Sequence, residues 1–322
     1  MQLTELVAPP AQGRVFTDRA RAGLGDVAPS GRARLDTIAR WLQDAAFADL
    51  LDSGVPDDGV WIVRRLRLRV ERFPRMHEHV SVATWCSGAG SLVAERRSTV
   101  RGDDGGLVEA VALWVHLDPV GARPRPMPEG FESVYGPSAA GRRVRARLRY
   151  RGEPPADGES APWRFRAADL DLADHVNNAV YWQALEEDLA GDGAHEPYDA
   201  EIEHRAPADV GEAAILRDGQ MLWIVAPDGE PAPWRFRAAD LDLADHVNNA
   251  VYWQALEEDL AGDGAREPFD AEIEHRAPAD VGEAAIVRDG EMLWISAADG
   301  VVLASMATPD GPTVRSGIST SA

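Results

Sequence analysis

The first half of the chain carries two hydrophobic patterns in succession. After Ser30 the apolar residues recur at helical spacing, which predicts one long helix that Ser30 caps and that stops near Gly54. The helical apolar positions are Leu35, Ile38, Leu42, Ala45 and Ala46. Four alternating or apolar runs follow, and they predict an antiparallel meander. These runs are Val60–Val70, Val80–Trp85, Leu92–Val100 and Leu107–Leu117.

The second half contains a long sequence repeat. Residues 161–229 recur as residues 232–300 at an offset of 71, and six of these 69 positions differ. The differing pairs are His195/Arg266, Tyr198/Phe269, Leu216/Val287, Gln220/Glu291, Val225/Ser296 and Pro227/Ala298. Two copies are too few for a solenoid. A recent tandem duplication and an error of sequence assembly would both produce such near-identity.

Each copy predicts the same series of elements. The first copy begins with a strand at Trp163–Arg166, and a helix then runs from about His175 to Leu189 and ends at Gly191. Three strands follow at Ala200–His204, Ala213–Leu216 and Met221–Val225. Only the second copy continues into a further strand, at Val301–Ala307. Helix and antiparallel strands in both halves predict the α+β class.

These patterns divide the chain into five segments. We expect an N-terminal unit at 1–137, a linker with an Arg-rich strand at 138–160, an incomplete first copy at 161–231, a complete second copy at 232–310 and a flexible tail at 311–322. Gly136–Gly141 has the composition of a linker. Arg143–Arg151 alternates strictly, so a strand there would place five arginines on one face.

The chain is strongly acidic, and its charge is unevenly placed. It has 33 basic residues, all of them Arg, against 54 acidic ones, which gives a formal net charge of −21. Residues 1–151 hold 23 Arg and 18 acids (+5), whereas residues 152–322 hold 10 Arg and 36 acids (−26). This balance argues against non-specific nucleic-acid binding and against docking on an anionic membrane. An acidic partner should prefer the first half.

Cysteine content and hydropathy indicate a cytoplasmic protein. The single cysteine, Cys86, excludes an internal disulfide framework and is expected to be a buried small apolar residue. The N-terminal residues do not read as a secretory signal, and no run of about 18 apolar residues would span a membrane.

A motif of Asp, His and Asn residues occurs once in each copy. It reads DLDLADHVNNAVYW at 169–182 and again at 240–253, and it resembles the hot-dog thioesterase signature D-x-D-x-x-x-H-V-N-N-x-x-Y. Three stretches of the first half are similar to acyl-ACP thioesterases, which are double hot-dog proteins. They are WIVRRLRLRVERF at 61–73, VSVATW at 80–85 and ALWVHLDPVGARPRPMP at 112–128. The resemblance implies a tandem hot-dog, here with one extra, partial hot-dog unit.

The resemblance also implies hydrolysis of a fatty acyl-ACP or acyl-CoA thioester to a free fatty acid, with no metal and no organic cofactor. The candidate catalytic residues are Asp171 and His175 in the first copy and Asp242 and His246 in the second. A carboxylate beside a helix N-terminus can act as base or nucleophile while N–H groups hold the oxyanion. The candidate substrate-binding residues are Asn177, Asn178, Asn248 and Asn249. We expect the second copy to be the working one, because it alone keeps its last strand, and the first hot-dog to shape the acyl pocket.

Two departures from the plant acyl-ACP thioesterases leave other hypotheses open. The Asn that those enzymes place two residues before the motif His is Ala173 or Ala244 here. Their downstream Glu-Cys falls at Pro207-Ala208 or Pro278-Ala279. A non-catalytic acyl-binding hot-dog is therefore a second hypothesis, and a hot-dog dehydratase is a third. Helix capping by the Asp residues and structural roles for the His and Asn residues are the plain alternatives.

Two arginine stripes form a candidate docking surface for acyl carrier protein. They consist of Arg65, Arg67, Arg69, Arg143, Arg145 and Arg147. A basic face would attract an acidic carrier, and a solvated strand face is the plain alternative. His204 and His275 lie on predicted strands and are expected to be core or surface groups rather than metal ligands. A homodimer is left open.

Overall fold

The structure is a computed structural model of the chain. It describes residues 3–56, 58–120, 123–150, 159–192, 196–206, 208–218, 221–225, 234–263, 271–289 and 292–307. The predicted tail at 311–322 and Arg151 of the predicted Arg-rich strand lie outside these residues.

The described residues form fourteen strands and four α-helices. The helices are α1 (Leu35–Ser53), α2 (Phe131–Ala139), α3 (Tyr181–Asp192) and α4 (Tyr252–Asp263). The strands of the first half are β1 (Phe16–Arg21), β2 (Val60–Arg72), β3 (His79–Ala89), β4 (Val93–Gly102) and β5 (Leu107–Leu117). Those of the first copy are β6 (Glu159–Phe165), β7 (Tyr198–Glu203), β8 (Gly211–Asp218) and β9 (Met221–Val225). Those of the second copy are β10 (Trp234–Phe236), β11 (Glu272–His275), β12 (Gly282–Asp289), β13 (Met292–Ala297) and β14 (Val302–Ala307).

The N-terminal domain is a long helix lying across an antiparallel sheet. The sheet order is β1-β3-β4-β5-β2-β7. The four predicted antiparallel strands are confirmed, and β3-β4-β5 form a meander. The prediction is wrong for β2, which pairs with β5 and not with its chain neighbour β3. The apolar face of α1 packs on the sheet, with Ile38 and Leu42 buried in one cluster with Leu68 and Val70 of β2. Full burial of such side chains is worth roughly 1.5–3 kcal/mol each, which makes this cluster the main stabilising contact of the domain.

The ends of α1 differ in part from the prediction. The helix ends as predicted, because Gly54 adopts a left-handed conformation (φ 68°) that favours glycine. Its N-cap is Arg34 rather than Ser30. The backbone after Ser30 is held by sheet-like contacts, including a bridge of Arg32 with Arg75, and cannot turn into a helix before Leu35.

Helix α2 corrects the prediction of a linker at Gly136–Gly141. The helix includes Gly136 and Pro137, both poor residues for a helix interior. It nevertheless forms because Phe131 and Tyr135 are buried together, with Phe131 stacked 6.0 Å from Trp61. Aromatic burial therefore outweighs the local preference of the sequence.

The second copy folds as a complete unit. Its sheet order is β10-β12-β13-β14-β11, and α4 packs on this sheet. The order matches β1-β3-β4-β5-β2 of the N-terminal sheet, so β11 corresponds to β2. The predicted last strand is confirmed as β14, which pairs with both β13 and β11.

The first copy is divided between two sheets. Strands β6, β8 and β9 form a three-stranded sheet of their own. Strand β7 instead pairs antiparallel with β2 of the N-terminal domain, with Arg67 opposite Glu201 and Arg65 opposite Glu203. Helix α3 lies beside α1, and its Trp182 is buried in the N-terminal core. The first copy is thus bound to the N-terminal domain through one helix and one strand.

The two copies contact each other through reciprocal ion pairs, which we call the inter-copy cluster. Arg166 binds both carboxylate oxygens of Asp240 at 2.6 and 3.0 Å, and Arg237 binds those of Asp169 at 2.6 and 3.1 Å. All four residues are buried. Burial alone would raise the pKa of Asp240, but Arg166 holds that pKa below its ordinary value. Each guanidinium also lies over a Trp ring of the other copy.

Two further elements start or end differently from the prediction. Helix α3 begins at Tyr181 rather than near His175, because the motif residues before it form a separate turn. The Arg-rich segment is extended but is not a strand: among its described residues only Arg143 makes a bridge, to Ala89. Its amides at Arg149 and Tyr150 bind the Glu203 carboxylate of β7, so they are not available for a ladder.

We predict that Arg166→Met lowers the free energy of unfolding by roughly 3–5 kcal/mol, because it leaves the Asp240 carboxylate buried without its ion-pair partner. Urea denaturation measures this loss. Arg69→Met is the matched control, since Arg69 pairs with Glu71 at the surface and should cost less than about 1 kcal/mol. Equal losses in the two variants would contradict the assigned role of the inter-copy cluster.

Candidate active site

In each copy the motif Asp and His lie at the two ends of one tight turn. The Asp171 amide donates to the His175 carbonyl at 2.9 Å, and the Asp242 amide donates to His246 at the same distance. Asp174 and Asp245 close the turns in the left-handed conformation, at φ 58° and 60°. The motif Asp and His, which are four residues apart in the sequence, are therefore also joined by a hydrogen bond in the structure.

The N-terminal domain contains the same turn without these side chains. Its Ala28 amide donates to the Arg32 carbonyl at 2.8 Å, and the bridge of Val27 with Ala33 corresponds to that of Leu170 with Val176. Ala28 and Arg32 therefore occupy the places of Asp and His. Of these three turns, those of the two copies carry an Asp and a His, and that of the N-terminal domain does not.

The first motif Asn of each copy positions the backbone. The Asn177 amide donates to the Asp169 carbonyl, and its side-chain oxygen accepts from the Ala179 amide at 2.8 Å. Asn248 does the same for Ala250 at 2.9 Å. The adjacent Asn178 is half-buried and Asn249 is exposed. Asn248 thus caps the 3-10 helix Asn249–Val251, which leads into α4, and Asn177 makes the same contact ahead of α3.

The motif carboxylates accept hydrogen bonds from the backbone of their own turns. Asp171 Oδ1 accepts from the Ala173 amide at 2.9 Å, and Asp242 Oδ1 accepts from the Ala244 amide at 2.8 Å. Each carboxylate is thus held by its own turn, ten residues before the helix begins.

A second carboxylate, which the sequence analysis missed, lies beside each motif His. His175 Nδ1 is 3.3 Å from Asp209 Oδ1, and His246 Nδ1 is 3.9 Å from Asp280 Oδ1. The loop that carries Asp209 is fixed to the motif, because the Val176 amide donates to the Ala208 carbonyl at 2.9 Å. Asp209 directly follows Pro207-Ala208, where the resemblance placed the family's Glu-Cys. That adjacency was the one signal in the sequence.

The two turns differ in their surroundings. Asp171 is exposed and Leu172 beside it is fully exposed, whereas Asp242 is half-buried and Leu243 is 42% exposed. Leu243 approaches Gly31 of the N-terminal domain, so that a Cβ at Gly31 would lie 3.7 Å from Leu243 Cδ2. The second-copy turn therefore faces the N-terminal domain.

The N-terminal domain has a narrow cleft between α1 and its sheet. Its lining is largely apolar, and Arg96, Ser98 and Gln43 are its polar residues. The apolar lining is formed by Ala39, Leu42, Val63, Leu66, Ala110, Ala112 and Trp114.

The histidines on the strands have different environments in the two copies. His204 is buried by docking on the N-terminal domain, and neither of its ring nitrogens has a hydrogen-bond partner among the described residues. Burial, with a smaller effect of Arg64, lowers the pKa of His204 to about 4. His275 is exposed. Both rings meet the edge of a Tyr ring, at 4.9 and 5.0 Å.

The prediction of an exposed arginine face on β2 is wrong for Arg65 and Arg67, which are 4% and 9% exposed. Arg67 binds Asp199 at 2.6 Å, and Arg65 lies 3.6 Å from both Glu201 and Glu203. These two arginines hold β7 and are turned away from solvent.

The other stripe residues remain accessible. Arg69 is partly exposed beside Glu71, and Arg143, Arg145 and Arg147 are exposed. Cys86 is buried as predicted, and burial raises the pKa of its thiol to about 11.

The described part of the chain lacks both a metal-binding cluster and a membrane-spanning helix. No cluster of three or more His, Cys, Asp or Glu residues there could hold a metal ion. Within the same residues, no helix combines the length and apolar character that crossing a membrane requires.

The fold and the motif turns define a hot-dog thioesterase. The model of the acyl-ACP thioesterase N-terminal domain matches residues 13–135, and that of the C-terminal domain matches twice, at 152–216 and 228–290. The chain belongs to the acyl-ACP thioesterase family and is a thioester hydrolase.

Individual relatives are similar to large parts of the chain. An uncharacterised protein of Mycobacterium tuberculosis is 27% identical over 214 residues, which are 66% of this chain and 85% of that protein. The chloroplastic palmitoyl-acyl carrier protein thioesterase of Arabidopsis thaliana is 24% identical over 188 residues, covering 52% of this chain and 46% of that protein. The chain therefore spans about half the length of this plant relative.

Solved structures confirm the predicted fold. The 12:0-ACP thioesterase from Umbellularia californica superposes with a TM-score of 0.52 at 16% identity, over 91% of this chain and 92% of that one. An acyl-ACP thioesterase from Bacteroides thetaiotaomicron gives 0.51 at 14% identity, over 91% and 96%.

We predict that stability falls at mildly acidic pH because of His204. Its pKa of about 4 in the folded state lies below its ordinary value of 6.5, so the unfolded chain binds the proton more readily. The contribution is complete above pH 6.5 and is lost as the pH falls toward 4, with about 2 kcal/mol lost by pH 5. Urea denaturation at several pH values should show a flatter profile for His204→Phe. His275→Phe should leave the profile unchanged, and a matching change there would contradict the prediction.

Proposed function

We propose that the protein hydrolyses a fatty acyl-ACP or acyl-CoA thioester and that Asp242 and His246 carry the reaction. The observation that supports this most directly is the closed turn that holds Asp242 and His246 together, with Asp280 beside the imidazole. Family membership supplies the reaction class, and the turn supplies an acid-base pair of the type that hydrolysis needs.

In this mechanism the Asp242 carboxylate acts on the thioester carbonyl carbon either through a water molecule or directly. As a general base it would take a proton from the attacking water, and His246 would orient that water. As a nucleophile it would attack the carbonyl carbon and form an anhydride as the C–S bond breaks and the thiolate leaves and takes up a proton; water would then hydrolyse the anhydride to the fatty acid and the free Asp242 carboxylate. Asp280, 3.9 Å from the His246 ring and not hydrogen-bonded to it, would act on the imidazole through its negative charge.

The developing oxyanion would be bound by backbone N–H groups. The turn of helix that starts at Asn249 leads into α4, but its Ala250 and Val251 amides already donate to Asn248, so the donor would be another backbone amide of the motif segment. Such donors stabilise negative charge better in the transition state than in the ground state.

The second copy is preferred over the first for two reasons. Its sheet is complete, since β14 pairs with β11, whereas β7 has left the sheet of the first copy. Its Asp242 is half-buried in a turn that faces Gly31 of the N-terminal domain, which is the domain proposed to shape the acyl pocket. We place this activity in the cytoplasm.

We predict that Asp242→Asn lowers kcat about 10²- to 10⁴-fold, because the amide cannot act as base or nucleophile. Asp171→Asn is the matched control in the same turn of the other copy and should leave kcat within about twofold. Steady-state thiol release from decanoyl and palmitoyl thioesters measures both. Loss of activity in Asp171→Asn alone would transfer the reaction to the first copy.

The same assay tests a second candidate function, a non-catalytic acyl-binding hot-dog. Ala173 and Ala244, in place of the Asn of the plant enzymes, are the residues that favour it. Thiol release above background by the unmodified chain would eliminate it, and binding without release would support it.

We also propose that an acyl carrier protein docks on the exposed arginines of the segment that follows α2. Arg143, Arg145 and Arg147 are exposed there, and an acidic carrier would be attracted to them. The buried Arg65 and Arg67 are not part of this proposed surface.

We predict that kcat/KM for an acyl-ACP falls steeply as salt is raised, whereas that for a short acyl-CoA mimic falls less, because the carrier is attracted over a larger charged area. Replacing Arg143, Arg145 and Arg147 with Gln should lower kcat/KM for acyl-ACP at low salt about tenfold. Equal salt responses for the two substrates would refute the docking surface.

A further inference from the structure

The second copy exposes the face through which the first copy is bound. Trp182 of α3 is completely buried, whereas Trp253, at the same repeat position of α4, is 37% exposed. Glu186 is buried and Glu257 is exposed. We call the surface formed by one face of α4 and the outer edge of β11 the second docking face.

The contacts of the first copy show what such a face binds. Glu186 accepts from Arg32 at 2.6 and 3.0 Å and from the Leu35 amide at 2.6 Å, which ties α3 to the start of α1. On the strand, Glu201 and Glu203 are buried beside Arg65. The surface of the N-terminal domain that binds the first copy thus consists of an apolar face of α1 next to the arginine-bearing edge of β2.

The second docking face repeats the same chemistry. The sequence differs between the copies at six of 69 positions, and none of them is a Trp, Gln or Glu of α3 or a carboxylate of β7. Glu272 and Glu274 stand at the repeat positions of Glu201 and Glu203, and both are exposed. Whatever binds the first face should therefore bind the second with similar strength.

Charge decides between the two strand edges that could cover β11. Pairing β11 with β11 of a second chain would bring Glu272 and Glu274 of both chains together, and like charges on facing strands are destabilising. The edge of β2 carries Arg65 and Arg67, which compensate carboxylates in this register. The complementary occupant is therefore β2.

We propose that the second copy docks on the N-terminal domain of its own chain in place of the first, so that two nearly identical copies compete for one acceptor strand. The covalent tether raises the effective concentration of the second copy at this strand. Strand β11 already pairs with β14 on its other side, so docking would leave it paired along both edges. Among the described strands, β7 pairs with β2 alone.

Cysteine cross-linking in the full chain tests the proposal. Leu68 lies opposite Ala200 in the observed register, and Ala271 is the repeat position of Ala200. With Cys86→Ala as background, Leu68→Cys/Ala200→Cys reports docking of the first copy and Leu68→Cys/Ala271→Cys reports docking of the second. Leu68→Cys/Ala285→Cys is the matched control, because Ala285 is exposed on β12, away from the docking face.

The disulfides are located by peptide mapping, and trypsin cuts after Arg266 but not after His195, so the two copies give different peptides. We expect within-chain disulfides at 68–200 and at 68–271, both about tenfold above the 68–285 control. Glu272→Arg/Glu274→Arg should remove the 68–271 disulfide and leave 68–200 unchanged.

The 68–200 disulfide also serves as the folding control, because all three pairs share Leu68→Cys. Formation of 68–200 with 68–271 at control level would overturn the proposal. A 68–271 disulfide found only between chains would overturn it as well. Neither outcome depends on thioester hydrolysis.

Discussion

Buried pairing of arginine with carboxylate holds the three units of this protein in place. It occurs at the strand joint between β2 and β7, at the joint between α3 and the start of α1, and in the inter-copy cluster. Burying charges costs several kcal/mol per ion, and only well-aligned partners compensate for this cost. A guanidinium can meet both oxygens of a carboxylate, and Arg166 and Arg237 do so. Some arginines of the basic first half thus meet carboxylates of the acidic second half inside the molecule and not at its surface.

The candidate active site depends on this arrangement only indirectly, since its own geometry is local. One backbone turn brings Asp171 and His175 together, and Asn177 after it bonds to the Ala179 amide. A loop after the following strand adds the carboxylate of Asp209. The same turn in the N-terminal domain carries Ala28 and Arg32 and has lost the acid-base pair. One backbone turn thus carries the candidate acid-base pair in the two copies and carries neither Asp nor His in the N-terminal domain.

Local periodicity was enough to predict α1, the strands β2–β5 and the last strand β14, because each buries its apolar face against neighbours in its own unit. It did not predict that β2 pairs with β5 and not with β3, because pairing order is not a local property. It failed where the partner lies in another segment. Arg65 and Arg67 have the alternation of a solvated strand face, and only the pairing with β7 shows that they are buried. The start of α3 was misplaced because the motif residues before Tyr181 form turns, one of them closed by Asn177 on the Ala179 amide. Asp209 was missed because its one sequence signal is that it follows Pro207-Ala208, whereas its closeness to His175 is visible only in the structure.

The strand exchange that completes the N-terminal sheet also sets an order in time. Strand β2 ends at Arg72, but its partner β7 begins only at Tyr198, so a nascent chain exposes an unpaired, arginine-bearing sheet edge until the first copy has left the ribosome. At about 5–20 residues per second this interval lasts on the order of ten seconds. The first copy then reaches the edge several seconds before the second has been made. The order of synthesis thus lets the first copy pair with β2 before the second copy exists, an advantage that their nearly identical side chains do not give it.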